Sequence, residues 1–195
     1  MSEKTEERAP APWVSEETAA RLLAARSGDK CTVEEDKHDP TVTLDASIWL
    51  ETARYLKDEL NFETCHLVTG IDRGPEDGHL EVLYSLYSRN RAEWLHVRIP
   101  LPRGGVDALP ELDSVALVWR AADWHERETY DLVGVRFKGH PDHRRMFLPE
   151  DWDGHPLRKD YTYPLEYHGI PDVYRMPGSI LYEAPAEAAT EGGEA

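Results

Sequence analysis

Residues 79–101, HLEVLYSLYSRNRAEWLHVRIPL, contain two runs that alternate apolar and polar residues on either side of the polar interval RNRA. Alternation with a period of two is typical of β-strands with one buried face. Two such runs joined by a short polar interval predict an antiparallel hairpin with strands over 79–88 and 93–101. Pro100 and Pro102 are expected to end the second strand, because proline cannot donate a hydrogen bond to a neighbouring strand.

Before the hairpin, the clearest element is a helix over 45–61, with Asp45 as its N-cap and apolar residues at helical spacing. The other elements expected there are a helix over 15–26, one or two short strands within 31–45 that Asp39-Pro40 interrupts, and a strand over 64–73.

After the hairpin, residues 102–114 are expected to form a loop, and 115–119 is a short apolar segment. A helix is predicted over 121–134, where Gly134 closes it. From about residue 139 onward, proline and glycine are too frequent for regular structure.

These elements predict an α+β fold, in which helices of a compact domain over 13–138 pack on a small mixed or antiparallel sheet. A long extended C-terminal arm follows over 139–182. The polar composition of 1–12 predicts a disordered lead, and that of 183–195 a disordered acidic tail. The arm is rich in aromatic residues, which need burial, and irregular segments of this length are uncommon within a compact domain. We therefore expect the arm to lie against another protein.

The charge of the chain excludes several classes of function. Its 22 Lys and Arg against 38 Asp and Glu give a formal net charge of −16, which argues against nucleic-acid binding and gives no attraction to anionic lipid. No apolar run approaches the roughly 18 residues of a membrane span, and the N-terminus does not resemble a secretory signal. The protein is expected to stay in the cytoplasm unless a partner holds it at a membrane.

The two cysteines, Cys31 and Cys65, stand alone in the sequence. A four-thiolate iron–sulfur or zinc site within this chain is therefore not expected, since each needs four cysteines or a mixed set of ligands at set spacings. A disulfide between them is not expected in a reducing compartment.

Residues 126–160, ERETYDLVGVRFKGHPDHRRMFLPEDWDGHPLRKD, look reactive because they hold two Gly-His-Pro triplets, two basic doublets and many carboxylates. One alternative is a free-standing metal-dependent enzyme that uses His140, His143 and His155. Against it, Pro141 prevents a helix from presenting His140 and His143 together. The other alternative is a surface for a partner, in which the Arg and Lys doublets contact carboxylates within the chain or on a neighbour.

From Trp124 through Tyr161 the sequence closely resembles the signature of one family, the C-type or thirty-kilodalton subunit of respiratory complex I, the proton-pumping NADH:quinone oxidoreductase. The resemblance covers the pattern E-R-E-x-Y-D-x-x-G, a Phe, Gly-His-Pro, an Arg pair and Asp-Trp-x-Gly-His-Pro-Leu-Arg-Lys-Asp. It implies a non-catalytic structural subunit, peripheral on the cytoplasmic face of the cell membrane and attached only through the complex. An alternative within this class is the C-type subunit of a related complex with a different electron donor.

The resemblance also implies the neighbours of the chain. Its α+β domain would pack beside the D-type subunit, of the forty-nine-kilodalton kind, and its arm would wrap along it, near the iron–sulfur subunits. FMN, the iron–sulfur clusters and quinone would bind to other subunits, and no catalytic, cofactor or metal residue is expected in this chain. The predicted subunit-interface residues are Glu126, Glu128, Tyr130, Asp131, His140, Arg144, Arg145, Trp152, His155, Arg158, Lys159, Asp160 and Tyr161.

Overall fold

The structure is a computed structural model that describes residues 30–34, 41–105 and 108–171. The expected helix over 15–26, the N-terminal lead, the acidic tail and the arm beyond 171 lie outside the described residues. The described part divides into a compact unit that ends at Tyr161 and a second unit that begins at Thr162.

A five-stranded mixed sheet forms the centre of the first unit, in the order β1-β2-β5-β4-β3. Neighbouring strands are antiparallel except for β2 and β5, which are parallel. The strands are β1 (Cys31–Glu34), β2 (Thr41–Leu44), β3 (Thr64–Asp72), β4 (His79–Ser88) and β5 (Glu93–Pro102). The predicted α+β fold with a mixed sheet is therefore confirmed, and the segment 31–45 contains two strands.

The hairpin of β4 and β5 supplies much of the apolar core. Leu86 lies opposite Leu95 and Tyr84 opposite Val97, and all four side chains have no exposed surface. Pro102 ends the second strand as predicted, but Pro100 does not, because β5 continues through it to Pro102. Among the described residues β2 pairs with β5 only over 96–98, so the prolines lie where that side of β5 has no ladder to interrupt.

Two helices pack with the sheet. Asp45 Oδ1 accepts a hydrogen bond from Ser47 N–H (2.8 Å) and caps a 3₁₀ turn, Ala46–Ile48, which leads into α1 (Trp49–Asp58). The predicted cap is therefore correct, but the α-helix is shorter than 45–61. Helix α2 (Arg120–Val133) ends at Gly134, which has a φ of 81°, as predicted.

Helix α2 lies along β3, which is at one edge of the sheet. Val68 N–H donates a hydrogen bond to His125 Nδ1 (2.9 Å), so the helix supplies a partner for the strand backbone. Gly70 permits the close approach, since a Cβ there would lie 2.8 Å from Thr129 Cγ2. The edge strand is thereby covered by a helix.

A parallel pair of short strands, β6 (Glu111–Asp113) and β7 (Arg136–Lys138), flanks α2. The prediction of a loop throughout 102–114 is wrong at β6, whose three residues are too few for a periodic pattern. In the second unit, β8 (Glu166–Tyr167) and β9 (Ile170–Pro171) form an antiparallel hairpin whose strands have two residues each. The prediction of irregular structure missed this hairpin as well.

Residues 139–161, which we call the cover, contain no helix or strand. They belong to the same compact unit as the sheet, whereas the sequence placed the end of the domain at 138. Among the described residues, no helix has the length and apolar character needed to cross a membrane.

Candidate functional site

All of the predicted interface residues lie on α2 or on the cover. The fully buried carboxylate of Asp131 organises the middle of the cover. Its Oδ2 accepts hydrogen bonds from three consecutive backbone N–H groups, those of Met146 (3.0 Å), Phe147 (2.7 Å) and Leu148 (2.9 Å). Burial alone raises the pKa of Asp131, but these bonds and the Arg145 guanidinium outweigh it and hold the pKa below its usual range.

Arg145 connects Asp131 to a later part of the cover. Its Nη1 donates to Asp131 Oδ1 (2.8 Å), and its Nη2 donates to the carbonyl oxygens of Trp152 (3.0 Å) and Gly154 (3.1 Å). The planar guanidinium has donors on several sides, so one side chain holds three points of the chain in register.

The second Gly-His-Pro segment completes the C-terminal end of α2. The last carbonyls of a helix lack partners within the helix. Here His155 Nδ1–H donates to Asp131 O (2.9 Å), and Leu157 N–H donates to Leu132 O (2.9 Å). Burial lowers the pKa of His155, which favours the neutral ring. Gly134 leaves room for that ring, because a Cβ there would overlap it.

Arg158 satisfies the carbonyls that follow. Its Nε donates to Val133 O (2.8 Å), Nη2 to Gly134 O (3.1 Å) and Nη1 to Gly104 O (3.1 Å). The residue is only 7% exposed. Arg158 therefore fixes the cover both to the helix end and to the loop after β5.

A second charged cluster holds the end of the cover. Arg103 forms a two-point ion pair with Asp72 (2.9 and 2.8 Å) and another with Asp160 (2.9 and 2.5 Å). Asp72 Oδ2 also accepts a hydrogen bond from Lys159 N–H (2.9 Å). The Arg103 guanidinium holds the pKa of Asp72 far below its usual range.

Glu126 is a buried carboxyl that faces the turn before α2. Its Oε1 accepts from Val115 N–H (2.9 Å), and Ser114 Oγ donates to its Oε2 (2.5 Å). Glu126 has no exposed surface, and burial raises its pKa to about 7, against the lowering effect of these two hydrogen bonds. The side chain fixes the turn and titrates near neutral pH.

His140 and His143 also have partners within the chain. His140 Nδ1 accepts from Asp142 N–H (3.0 Å), so its Nε2–H donates to Asp123 O (3.1 Å). His143 Nε2 accepts from Phe137 N–H (2.9 Å). Within the described ranges, no three His, Cys, Asp or Glu side chains are arranged to hold a metal ion. His140, His143 and His155 are each used in hydrogen bonds within the chain.

The remaining predicted residues differ in exposure. Trp152 and Tyr161 are half-buried, and Trp152 Nε1–H donates to Tyr161 Oη (2.9 Å). The Tyr130 ring lies 4.2 Å from the His143 ring, centroid to centroid. The exposed residues are Glu128, Arg144, Lys159 and Asp160.

The structure thus brings Asp131, Arg145, His155 and Arg158 together. The contacts described above for these side chains are all to groups of the same chain. Their predicted role at an interface with another subunit stays a prediction, and any such role would come from shaping the surface. Sequence reasoning missed Arg103, whose partners lie 31 and 57 positions away. The single signal available for it was a cation two positions after a predicted strand.

Comparison with known proteins gives consistent matches. The family model described as respiratory-chain NADH dehydrogenase, 30 kDa subunit, matches residues 42–167. The chain is 41% identical over 150 residues to the C-type subunit of the NADH-quinone oxidoreductase of Geobacter metallireducens, covering 76% of this chain and 89% of the relative. It is 37% identical over 174 residues to the same subunit of Saccharopolyspora erythraea, covering 84% and 68%.

A solved structure shares the fold. It is a chain of the membrane-bound sulfane sulfur reductase, an archaeal respiratory membrane complex, with a TM-score of 0.64 and 23% identity. The similarity covers 75% of this chain and 85% of that chain. At this level of identity the match shows the fold alone.

Proposed function

This chain belongs to the family of the 30 kDa subunit of respiratory-chain NADH dehydrogenase, and we propose that it is the structural C-type subunit of a proton-pumping NADH:quinone oxidoreductase. A structural role is supported by what the charged residues of the family signature contact. Asp131, Arg145 and Arg158 hold the cover on α2 through hydrogen bonds to its backbone and to the helix end. They fix a surface, and the redox reaction takes place on other subunits.

The partners are a D-type subunit and the iron–sulfur subunits of the same complex. Two apolar side chains of the cover support a contact there, because Phe147 and Leu157 are each 60% exposed although the segment that carries them is fixed. Exposed apolar groups on a fixed segment are suited to burial against a neighbour. Attachment to the membrane, at its cytoplasmic face, goes through these partners.

FMN, the iron–sulfur clusters and quinone bind to other subunits. The chain has only two cysteines, and both are buried and free. A four-thiolate cluster cannot be built from two thiols. Electron transfer from NADH to quinone is therefore a property of the assembled complex.

A native pull-down tests the proposal. The full chain carries a C-terminal affinity tag, membranes are solubilised gently, and the co-purifying chains are identified by mass spectrometry together with NADH:quinone activity. We expect a D-type subunit, iron–sulfur subunits and activity. Recovery of the chain alone would contradict the proposal, and electron-input subunits other than NADH-oxidising ones would assign the chain to a related complex.

A further inference from the structure

The turn 115–118 between β6 and α2 holds Leu117 out into solvent. Leu117 is 82% exposed, more than any other large apolar side chain in the described ranges. Its neighbours Val115 and Val118 are buried, so the turn separates one apolar residue from the core. A single exposed leucine is ordinary on a protein surface, and its surroundings decide whether it has a role.

The turn that carries Leu117 is fixed by hydrogen bonds. Val115 N–H donates to Glu126 Oε1 (2.9 Å), Val118 N–H donates to Val115 O (2.9 Å), and Lys57 Nζ donates to Val118 O. A backbone that is already fixed loses little further conformational entropy when a partner covers it. The backbone that carries Leu117 is therefore preorganised for contact.

Two grooves meet at Leu117. One has a volume of about 400 Å³ and is lined partly by Leu50 and Val118. The other has a volume of about 430 Å³ and is lined partly by Trp119 and Ala121. Leu117 and Val118 line both grooves, so a partner segment that covers the leucine can place apolar side chains in either groove.

The charges around Leu117 oppose the charge of the chain. The grooves are lined by four cationic side chains, against the two carboxylates of Asp58 and Glu63, whereas the chain carries 38 acidic and 22 basic residues. The four cations are Arg54, Lys57, Arg120 and Lys138. Arg54 and Arg120 are exposed and make no hydrogen bond or ion pair within the part of the chain that the structure describes. Lys138 is paired with Asp113 (3.6 Å), so the remaining local excess comes from Arg54, Lys57 and Arg120. This excess is complementary to an acidic ligand.

We propose that the Leu117 surface, formed by Leu117, Arg54, Arg120 and the two grooves, docks an acidic segment of a neighbouring subunit of the complex. Leu117 packs between apolar side chains of that segment, and the two guanidinium groups bind its carboxylates. The inference rests on the proposed function, since it requires a partner subunit, and it adds a contact surface to the one that Phe147 and Leu157 present.

Photo-crosslinking within the assembled complex tests the occupant. A photoreactive phenylalanine analogue replaces Leu117 in the tagged full-length chain, and the same analogue replaces Glu76, an exposed residue between β3 and β4, as the control. We expect position 117 to crosslink to a peptide of another subunit in which Asp and Glu outnumber Lys and Arg. A crosslink to a second copy of this chain, to its own C-terminal residues or to no protein would overturn the proposal.

Charge reversal tests the recognition. The double variant Arg54→Glu/Arg120→Glu should recover about tenfold less of the crosslinked partner, because like charges then face each other. The double variant Arg54→Lys/Arg120→Lys keeps the charges and should stay within about twofold of the unaltered chain. Equal unfolding midpoints of the isolated chains show that the fold is unchanged.

Recovery of the partner that is equal for the charge-reversed and unaltered chains would refute the Leu117 surface and leave the proposed function intact. Failure of the unaltered chain to recover any partner would instead refute the proposed function. The two results are therefore distinguishable in one experiment.

Discussion

The sheet and the cover are held by different forces. The β4–β5 hairpin buries apolar side chains such as Leu86 and Val97, and burial of this kind has no preferred direction. The cover lacks regular structure and is held by directional contacts from Asp131, Arg145 and Arg158. An apolar core accepts substitutions that conserve volume, but loss of one partner in a buried polar cluster leaves the other unsatisfied. The cover is thus the less tolerant region.

Asp131→Ala should break the cover and spare the sheet. It leaves three backbone N–H groups and the Arg145 guanidinium without their shared acceptor, at a cost of about 3–5 kcal/mol. Hydrogen exchange should show loss of protection at 146–148 while β4 stays protected. Asp153→Ala, at an exposed carboxylate of the cover, is the matched control. Equal loss of protection in β4 would contradict a separate cover.

Leu86→Ala should act on the whole unit. Leu86 is fully buried opposite Leu95, and its truncation leaves a cavity that costs about 2–5 kcal/mol. Urea unfolding should shift to lower concentration, and the sheet and cover should lose protection together because α2 rests on the sheet. Leu86→Met should cost less than about 1.5 kcal/mol. Loss of protection confined to the cover would contradict the expectation that the cover depends on the sheet.

Glu126→Gln should remove a dependence of stability on pH. The folded-state pKa of Glu126 is raised from 4.5 to about 7, so the folded chain binds more protons than the unfolded chain between these values. The Glu126 contribution to stability is complete below pH 4.5 and is lost as pH rises through 7. As pH rises, the unaltered chain should lose about 3 kcal/mol of unfolding free energy relative to Glu126→Gln. Urea unfolding of both chains from pH 4.5 to 8 measures this change. A difference independent of pH would rule out titration of Glu126.

Arg158→Lys should give the smallest effect of the four. Lysine keeps the charge but cannot reproduce the three directed contacts to Val133, Gly134 and Gly104, which predicts a loss of about 1–3 kcal/mol. Urea unfolding at neutral pH measures it, with Lys159→Arg as the control at the adjacent exposed position. An unchanged midpoint would mean that charge alone holds the cover at this point.

The sequence predicts the parts of this fold that repeat a local pattern. Alternation over 79–101 is enough to identify the hairpin, and Gly134 marks the end of α2. The three residues of β6 are too few to show a period, so their pairing with β7 depends on tertiary position. The prediction for Pro100 is wrong because a strand tolerates proline where one side of it has no pairing strand, and β2 does not reach that part of β5.

For the candidate site, the sequence indicates which residues are unusual but not what they contact. The doublet Arg158-Lys159 is visible in the sequence, yet the side chain of Arg158 is buried and that of Lys159 is exposed. Arg158 binds carbonyl oxygens up to 54 positions away, and backbone acceptors leave no mark in a sequence. Long-range polar contacts of this kind cannot be predicted from local composition.

The C-terminal end of α2 depends on residues that are synthesised late. His155, Leu157 and Arg158 supply its last carbonyl partners, and they are synthesised after every strand of the sheet. Domains tend to fold from the N-terminal side as they leave the ribosome. A nascent chain that stalls before His155 therefore has its sheet strands and α2 but an unfinished helix end. Completion of the helix end therefore waits until the last few residues of the compact unit have been synthesised.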